Sequence, residues 1–516
     1  MTEGRGTNFV RESTGLVKNV SLFDAVAINV SYMSTGAALA LIGFTVLLLP
    51  SVSGVNLVAA SLIGFLFSIP QVIVYTKMSS KTSRTGGDYV WMSRSLGGFT
   101  GSAVTFMGIT METMPYLALI ALSVVFAIGS VGVALGNGSF LGLALPPNVG
   151  GSSPLMQFVL AAALLAVLVA LNILKPKWGF KVVSILMVVG LVTLTVAVIT
   201  LLSAGQSGVA NYIDNLNPGN QSLSYQSLAS SYGGSTFDLG ATLSVLPFFA
   251  IFVYPWFNAS ASVGSELKGK RATTWNAPIS AVLAFLVVTI PLAAMYYVGG
   301  FGFTNEALHS STLVIDDSFN FWTLAMGASS SSAIAALIGI GWILWEVAIL
   351  AFGIITISRY LLAQSFDRFL PSKFAYVSDR WGSPIFAHLF DLAVTVVLIG
   401  LAVAVYGTLS SLYGAVLASM FYFLFVGLGA AVYAIKREKG SERSVLAVAG
   451  ILTAAVFAYI SYEFLASPAV WGGNTLADGY IVVTFLAGVG IYVASRRYHK
   501  ARGIDISLLF KEIPPE

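Results

Sequence analysis

The chain has 516 residues, of which 57% are hydrophobic and only 9% are charged, with a formal net charge of +4. Soluble domains carry about 25% charged residues, so this composition excludes an ordinary soluble protein and predicts one that lies within a membrane. Cysteine is absent, which excludes disulfides, a thiol nucleophile and a thiolate metal site. The histidines, His309, His388 and His499, lie far apart in the chain, so we expect no metal site and no cofactor.

Apolar stretches of about 20 residues, the length that crosses a bilayer as a helix, follow one another along the chain. We predict twelve spans, near 22–49, 57–76, 99–129, 155–174, 180–203, 239–263, 277–299, 332–360, 385–406, 410–435, 445–466 and 478–495. The residues before the first span are polar and lack the apolar run of a cleavable signal peptide, so they are predicted to form a tail.

The basic residues support this count, because all 26 lysines and arginines fall in the tails and loops on one side of the twelve-span arrangement. The long segments on the opposite side, 204–238 and 300–331, contain acidic residues but no Lys or Arg. Lys and Arg collect on the cytoplasmic side of membrane proteins. The sequence therefore predicts a multi-pass protein of the cytoplasmic membrane of the cell, with both termini in the cytoplasm. The same bias explains the net charge without a nucleic-acid partner.

Two of the predicted spans are interrupted near their middle. The sixth reads FFAIFVYPWFNASASV over 248–263, where Pro255 breaks the apolar run and polar residues follow. The first reads NVSYMSTGAALA over 29–40, with a Ser-Thr-Gly sequence at its centre. Proline removes a backbone hydrogen bond, and irregular backbone at membrane depth is tolerated only inside protein or beside an aqueous cavity. Comparable breaks five spans apart indicate an inverted repeat.

The predicted fold class is therefore an all-α integral membrane protein with two inverted repeats of five helices and two additional C-terminal helices. Its parts are a cytoplasmic tail (1–21), the first repeat (22–203), an extracellular loop (204–238), the second repeat (239–435), the last two spans (445–495) and a cytoplasmic tail (496–516). Free N–H groups at one helix end suit a carboxylate and free C=O groups at another suit an ammonium. Two facing breaks would therefore hold a zwitterion; the alternative is a simple proline kink with small residues for packing.

Two glutamates lie in the middle of apolar spans, Glu112 in the third and Glu346 in the eighth. An intramembrane charge costs roughly 2.5–3.5 kcal/mol on the insertion scale, so such residues usually face the interior of a helix bundle. Both are candidates for proton coupling or for binding the amine of a substrate. The alternative for each is a neutral carboxylic acid hydrogen-bonded between helices.

Three sequence blocks on the basic side resemble those of the amino acid–polyamine–organocation (APC) superfamily. The matching residues include Gly86, Gly87 and Asp88 in the block 75–98, Glu266 and Lys268 in 265–281, and Arg359 and Asp367 in 358–387. Ser83 stands near the position of the family's proline, which is a departure. Acidic residues beside Lys and Arg in these blocks indicate a cytoplasmic gate of ion pairs, and the alternative is a set of solvated basic loops.

This resemblance implies secondary transport of amino acids or related amines by a leucine-transporter-like fold, with alternating access and the substrate held at the two breaks. The substrate-binding residues it implies are Met33, Ser34, Thr35 and Gly36 in the first break and Phe252, Val253, Tyr254, Trp256, Phe257 and Asn258 in the second. The last three of these stand where the family usually has Gly-x-Glu. Asn258 thus replaces the family's glutamate, and the rings of Trp256 and Phe257 lie in the break.

The coupling ion stays open at this point. The hydroxyls of Thr356 and Ser358 lie near positions that supply a sodium site in sodium-coupled relatives, whereas Glu112 and Glu346 favour protons. We predict a proton-coupled transporter, with a sodium-coupled symporter or an exchanger as alternatives. A non-transporting receptor would need a soluble signalling domain, for which the tails are too short. An intramembrane enzyme would need a catalytic constellation, and no His or Cys lies at the centre of a span.

Overall fold

The computed structural model describes residues 18–145, 154–406 and 409–513, which are almost entirely helical. Eleven helices within these ranges are long and apolar enough to cross a membrane. The same ranges contain two isolated β-bridges, Val20 with Leu267 and Thr85 with Val263, and no strand. Residues 1–17 of the predicted N-terminal tail lie outside the described residues.

We number the helices that matter for the site in chain order. The first group is α1 (Leu22–Tyr32), α2 (Thr35–Val46), α3 (Leu57–Lys81), α4 (Gly87–Leu96), α5 (Gly98–Ala134), α6 (Pro154–Leu174) and α7 (Pro176–Leu216). The second group is α8 (Leu239–Phe252), α9 (Asn258–Ser262), α10 (Gly269–Gly299), α11 (Phe301–His309), α12 (Phe321–Gly327), α13 (Ser332–Phe366) and α14 (Ile385–Val405). The last three are α15 (Leu417–Arg437), α16 (Gly440–Ala466) and α17 (Thr475–Lys500).

The first predicted span consists of two helices, α1 and α2, with Met33 and Ser34 in a turn between them. The hydroxyl of Ser34 donates to the carbonyl of Tyr32 (3.3 Å), and the hydroxyl of Thr35 donates to the carbonyl of Met33 (3.0 Å). These short polar side chains thus take carbonyls that a continuous helix would offer to backbone N–H groups, which explains why the helix ends here.

The sixth predicted span is interrupted over a longer stretch, because residues 253–257 form turns between α8 and α9. Pro255 has no N–H to continue the helix. The indole N–H of Trp256 donates to the carbonyl of Ile251 (2.8 Å), and the amide of Gln71 in α3 donates to the carbonyl of Pro255 (2.9 Å). Side chains therefore satisfy carbonyls that the break releases, as an apolar interior requires. Since neither α8 nor α9 is long, this span is not among the eleven long helices.

The segments predicted as loops on the side without basic residues contain helices. Helix α7 continues past a bend at Gly205, whose φ is +61°, and ends at Leu216. In its last part Val209 and Ile213, four residues apart, are fully buried, so this part has one apolar face. Helices α11 and α12 similarly occupy much of 300–331. A span search based on apolar length does not detect such amphipathic helices.

The two breaks lie in the interior of the helix bundle. Every residue from 25 to 43 is buried, whereas α17 exposes most of its surface. Helix α13 packs against α7, α5 and α1, and α10 packs against α3 and α1. The irregular backbone after α1 is therefore enclosed by protein and not exposed to lipid.

Helices α15 and α16 approach closely where Gly427 faces Gly450. A Cβ atom at Gly450 would lie 2.6 Å from the carbonyl oxygen of Gly427 and 2.7 Å from the backbone nitrogen of Ala431. Small residues that allow such backbone contact are a common means of packing helices in membranes.

We expect Gly450→Ala to lower the melting temperature of the purified protein, because backbone atoms of α15 cannot move aside without separating the two helices. Overpacking of this kind typically costs about 1–3 kcal/mol of folding free energy. Gly490→Ala in α17 is the matched control, since no atom lies within 4 Å of its Cβ position. Equal melting temperatures for the two variants in detergent would contradict the expectation.

Candidate functional site

The two breaks are joined by three aromatic side chains. The Trp256 ring, from the second break, stacks on Tyr116 of α5 with centroids 5.1 Å apart and meets the edge of Tyr32 at 5.5 Å. Tyr32 is the last residue of α1, and the hydroxyl of Tyr116 is hydrogen-bonded to that of Ser34. All four side chains are fully buried. The breaks of the first and sixth spans therefore lie next to each other.

The first break is tightly enclosed around its predicted site residues. Met33, Ser34, Thr35 and Gly36 are all buried. A Cβ atom at Gly36 would lie 3.0 Å from the ring of Trp345 in α13, and the carbonyl of Gly36 accepts the indole N–H of Trp322 (3.0 Å). Glycine at this position allows α13 to approach the start of α2.

The predicted residues of the second break contact different neighbours. Trp256 faces the first break, whereas the hydroxyl of Tyr254 bonds to Ser61 of α3 (2.8 Å) and so lies on the other side of the span. These side chains diverge because the turns at 253–257 change direction from one residue to the next.

The remaining predicted residues of the second break are also buried. The ring of Phe252 packs on Tyr413 (5.6 Å between centroids), and that of Phe257 lies near Tyr75 of α3 (6.2 Å). Val253 is fully buried at the C-terminal end of α8. Asn258, the first residue of α9, donates to the hydroxyl of Tyr360 in α13 (3.4 Å).

Glu112 and Glu346 are both fully buried, on α5 and α13. Glu112 directly follows a π-helical turn at Phe106–Met111, and one of its oxygens accepts the hydroxyl of Ser419 in α15 (2.6 Å). Glu346 accepts the indole N–H of Trp342 in its own helix (2.7 Å). The second oxygen of each carboxyl has no hydrogen-bond partner among the described residues. Among the described residues, neither carboxyl forms a hydrogen bond with a residue predicted to bind substrate at the breaks.

The two hydroxyls considered for a sodium site bond within their own helix. Thr356 donates to the carbonyl of Phe352 (3.3 Å), and Ser358 donates to the carbonyl of Ile355 (2.7 Å). Ser358 also accepts from the guanidinium of Arg359 (3.2 Å).

A buried ion pair lies on the basic side of the second break. The guanidinium of Arg359 in α13 donates to both carboxylate oxygens of Glu266, at 2.7 and 3.2 Å. Both residues are about 5% exposed. This pair joins α13 to the segment that follows α9, and both residues are among those predicted for a cytoplasmic gate.

A second ion pair joins α4 to the end of α13. Arg94 donates to both oxygens of Asp367, at 2.5 and 2.7 Å, and the hydroxyl of Tyr89 donates to the same carboxylate (2.8 Å). Arg94 also donates to the carbonyl of Glu512, and its guanidinium lies 5.4 Å from the ring centre of Phe510. The sequence did not identify Arg94 as the partner of Asp367.

Asp88 does not form the ion pair expected from its basic surroundings. Among the described residues its carboxylate accepts from the hydroxyls of Tyr75 and Tyr360 and from the backbone N–H of Tyr89, and no cation pairs with it. Lys268 is likewise not part of the gate, since its side chain is exposed. Its backbone N–H donates to the carbonyl of Val20 (2.8 Å).

The two adjacent glycines of the first sequence block allow α4 to start directly against α9. The N–H of Gly86 donates to the carbonyl of Ser262 (2.8 Å). Gly87 has a φ of +31°, and a Cβ atom there would lie 2.4 Å from the carbonyl oxygen of Ala261. A larger residue would strain the backbone and separate the two elements.

A cluster of amide and hydroxyl side chains fixes α9 to α1 and α10. The side-chain oxygen of Asn29 accepts the backbone N–H of Ser260 (2.9 Å), and its amide donates to Asn276 (3.2 Å) and Ser280 (3.3 Å). Ser260 also donates to Asn276 (2.8 Å). Asn29 and Ser260 stand out as polar residues in interrupted spans. Asn276 lies at the edge of the predicted seventh span, where a polar residue carries no such signal.

These features define a multi-pass helical membrane protein in which two interrupted helices meet in the interior. The chain belongs to the amino acid permease family, whose sequence model matches residues 20–492. The predicted resemblance to the APC superfamily is thus confirmed, and membership of this family implies a membrane transporter of amino acids and not an enzyme.

A second comparison concerns a viral protein. The chain is similar to Uncharacterized protein 399 of Sulfolobus islandicus rod-shaped virus 1, with 31% identity over 101 residues. The match covers 20% of this chain and 24% of the viral protein, so the chain spans about a quarter of that relative's length.

We expect Glu266→Gln to open the buried pair with Arg359, because removing one partner of a buried ion pair costs about 3–5 kcal/mol. The chain has no cysteine, so Ser262→Cys provides a single thiol at a buried position of α9. Maleimide labelling of this thiol should be at least about tenfold faster with Glu266→Gln.

Lys77→Gln is the control for this experiment, since it breaks an ion pair with Glu442 whose side chains are 33% and 45% exposed. Exposed pairs contribute little, so the labelling rate should stay near that of the parent protein. A similar rate for Glu266→Gln and Lys77→Gln would contradict a gating role for the buried pair.

Proposed function

We propose that this permease is a secondary active transporter that moves amino acids or related amines across the cytoplasmic membrane by alternating access. Its substrate is held between the first break (Met33 to Gly36) and the second break (Phe252 to Asn258), and transport is coupled to protons. The observation that carries this proposal is the direct contact of the two breaks through Tyr32, Tyr116 and Trp256 in the bundle interior.

The geometry of the breaks explains how they would bind a zwitterion. The helix α1 ends in carbonyl groups and α2 begins with N–H groups, and the same is true of α8 and α9. Carbonyl ends attract an ammonium and N–H ends attract a carboxylate. The hydroxyls of Ser34 and Tyr116 add a polar contact at this point, and Trp256 restricts the space to a small side chain or one that displaces its ring.

Both ends of the described chain support a twelve-span arrangement. The backbone of Asn19 and Val20 donates to the carbonyl of Glu266 (3.1 and 2.9 Å), and Arg94 donates to the carbonyl of Glu512 (3.2 Å). Glu266 and Arg94 pair with residues that are eight positions apart on α13. These contacts bring both ends to the ion-paired residues, which supports an even number of crossings. Eleven long helices are an odd number, and we propose that α8 with α9 is the twelfth crossing.

The proposed topology has two inverted repeats, 22–203 and 239–435, followed by two further spans. Its gate and both termini face the cytoplasm, in agreement with the location of all 26 basic residues. Alternating access then consists of opening the ion-paired gate on that side while the opposite side closes over the substrate site.

Proton coupling is supported by the two buried carboxyl groups on α5 and α13. Each of them has one hydrogen-bonded oxygen and one oxygen with no partner among the described residues. The hydroxyls of Thr356 and Ser358, by contrast, are engaged by carbonyls of α13.

Uptake by the purified protein in liposomes tests the function and the coupling ion together. With a panel of labelled amino acids and polyamines, we expect accumulation of at least one amino acid, and faster uptake when the outside is acidic. The acceleration should disappear in Glu112→Gln or in Glu346→Gln. Uptake that depends on sodium alone would contradict proton coupling, and no uptake of any compound would contradict the transporter.

The position of the substrate is tested by Trp256→Leu, which removes the ring between the breaks. We expect uptake of the transported amino acid at low concentration to fall about tenfold or more, which corresponds to about 1.4 kcal/mol or more of binding free energy. Trp275→Leu on α10 is the control, because its side chain is 55% exposed. Equal losses in the two variants, measured on protein that remains monodisperse, would contradict the proposed site.

A further inference from the structure

Asp88, like Glu112 and Glu346, is a fully buried carboxyl with no cation beside it among the described residues. It is the second residue of α4, which lies outside the long apolar helices. Tyr360 of α13 donates to one of its oxygens (2.6 Å), Tyr75 of α3 donates to the other, and the backbone N–H of Tyr89 donates to the first (3.1 Å). Three donors on one carboxyl hold α3, α4 and α13 together, and these bonds are about twice as strong when the carboxyl is ionised as when it is neutral.

The two arginines on the elements around Asp88, Arg359 and Arg94, form ion pairs with other carboxylates. Arg359 pairs with Glu266 and Arg94 pairs with Asp367. From α15 the phenol of Tyr422 faces the carboxyl of Asp88, and from α9 the amide of Asn258 bonds to Tyr360 (3.4 Å). Tyrosines stay neutral at physiological pH, so Asp88 is the one group in this cluster that can change its charge there. Burial raises the pKa of the Asp88 carboxyl to about 6.

The hydrogen bonds around Tyr360 have a second arrangement available. In the observed one, Tyr360 accepts from the amide nitrogen of Asn258 and donates to Asp88. The side-chain oxygen of Asn258 is buried and has no partner among the described residues. If Asp88 takes up a proton on the oxygen that faces Tyr360, that carboxyl becomes a donor. The hydroxyl of Tyr360 must then turn, and a rotated Asn258 amide offers its free oxygen as the acceptor.

We infer that Asp88 is the proton-binding residue of the inner gate, which closes the gate when ionised and releases it when protonated, through Tyr360 and Asn258 at the second break. Asn258 is the first residue of α9, directly after the turns of that break. Protonation of Asp88 therefore changes the hydrogen bonding at the proposed substrate site through the side chains of Tyr360 and Asn258. The role in transport rests on the proposed function, whereas the hydrogen-bond switch itself does not.

Thiol labelling tests the switch without any substrate. With Ser262→Cys as the only thiol, the rate of maleimide labelling is measured from about pH 8 to about pH 5. Because maleimide reacts with the thiolate, each rate is divided by that of Ser80→Cys, an exposed position on α3. We expect the corrected rate to rise about tenfold or more as the pH falls through about 6, since hydrogen bonds to a charged group are worth about 1.5–3 kcal/mol each.

Two variants assign this change to Asp88. Asp88→Asn imitates the neutral carboxyl, so labelling should be fast at every pH. Tyr360→Phe removes one donor to the ionised carboxyl, which raises its pKa and should move the midpoint of labelling to higher pH. Glu438→Gln is the control, because that carboxylate lies on the same side but pairs with Lys81, and its profile should equal that of the parent protein.

The labelling experiment can fail independently of the uptake experiment, so each tests its own proposal. A corrected rate that does not change with pH, or a pH dependence that persists in Asp88→Asn, would overturn the inference even if the protein transports amino acids. If Asp88→Asn does not fold, the midpoint of Tyr360→Phe decides, and an unchanged midpoint overturns the inference. A pH-dependent rate with no uptake of any compound would contradict the proposed function and leave the switch intact.

Discussion

The constraint on which this structure depends is that backbone groups released inside an apolar bundle must find partners. Each interruption of a helix frees carbonyl and N–H groups that lipid cannot satisfy. At the first break, the hydroxyls of Ser34 and Thr35 take two of the carbonyls. At the second, the side chains of Trp256 and Gln71 do so. The breaks are therefore stabilised locally by side chains.

The sequence predicts the spans and the positions of both breaks because apolar length, proline and clustered short polar residues act directly on backbone hydrogen bonding. It does not predict which side chains meet across the breaks. Tyr116 lies one turn after Glu112 in an apolar span, where a tyrosine has the appearance of a packing residue. Its contact with Ser34 depends on how α5 lies against α1, and no pattern within either segment carries that information.

The gate illustrates the same limit for charges. Of the residues predicted for a gate, Glu266 and Arg359 pair with each other, and Asp367 pairs with Arg94. Asp88 lies in an equally basic block but is surrounded by tyrosines from three helices. Whether a carboxylate in such a block contacts a cation or a phenol depends on the direction in which its side chain leaves the backbone. At Asp88 that direction is fixed by the close contact of Gly86 and Gly87 with α9 and α13.

The amide cluster around Asn29 has a mechanical consequence. Helix α9 has only five residues. Hydrogen bonds from Asn29 of α1 and Asn276 of α10 to Ser260 fix its position. Toward α4, by contrast, the bonds run from the segment before that helix: the N–H of Gly86 donates to Ser262, the hydroxyl of Ser83 donates to the carbonyl of Gly264, and the hydroxyls of Thr85 and Ser265 bond to each other. In the proposed alternating access, these bonds would make α9 move together with α1. The interface that would open is then the one between α9 and the helices α4 and α13, where the two ion pairs lie.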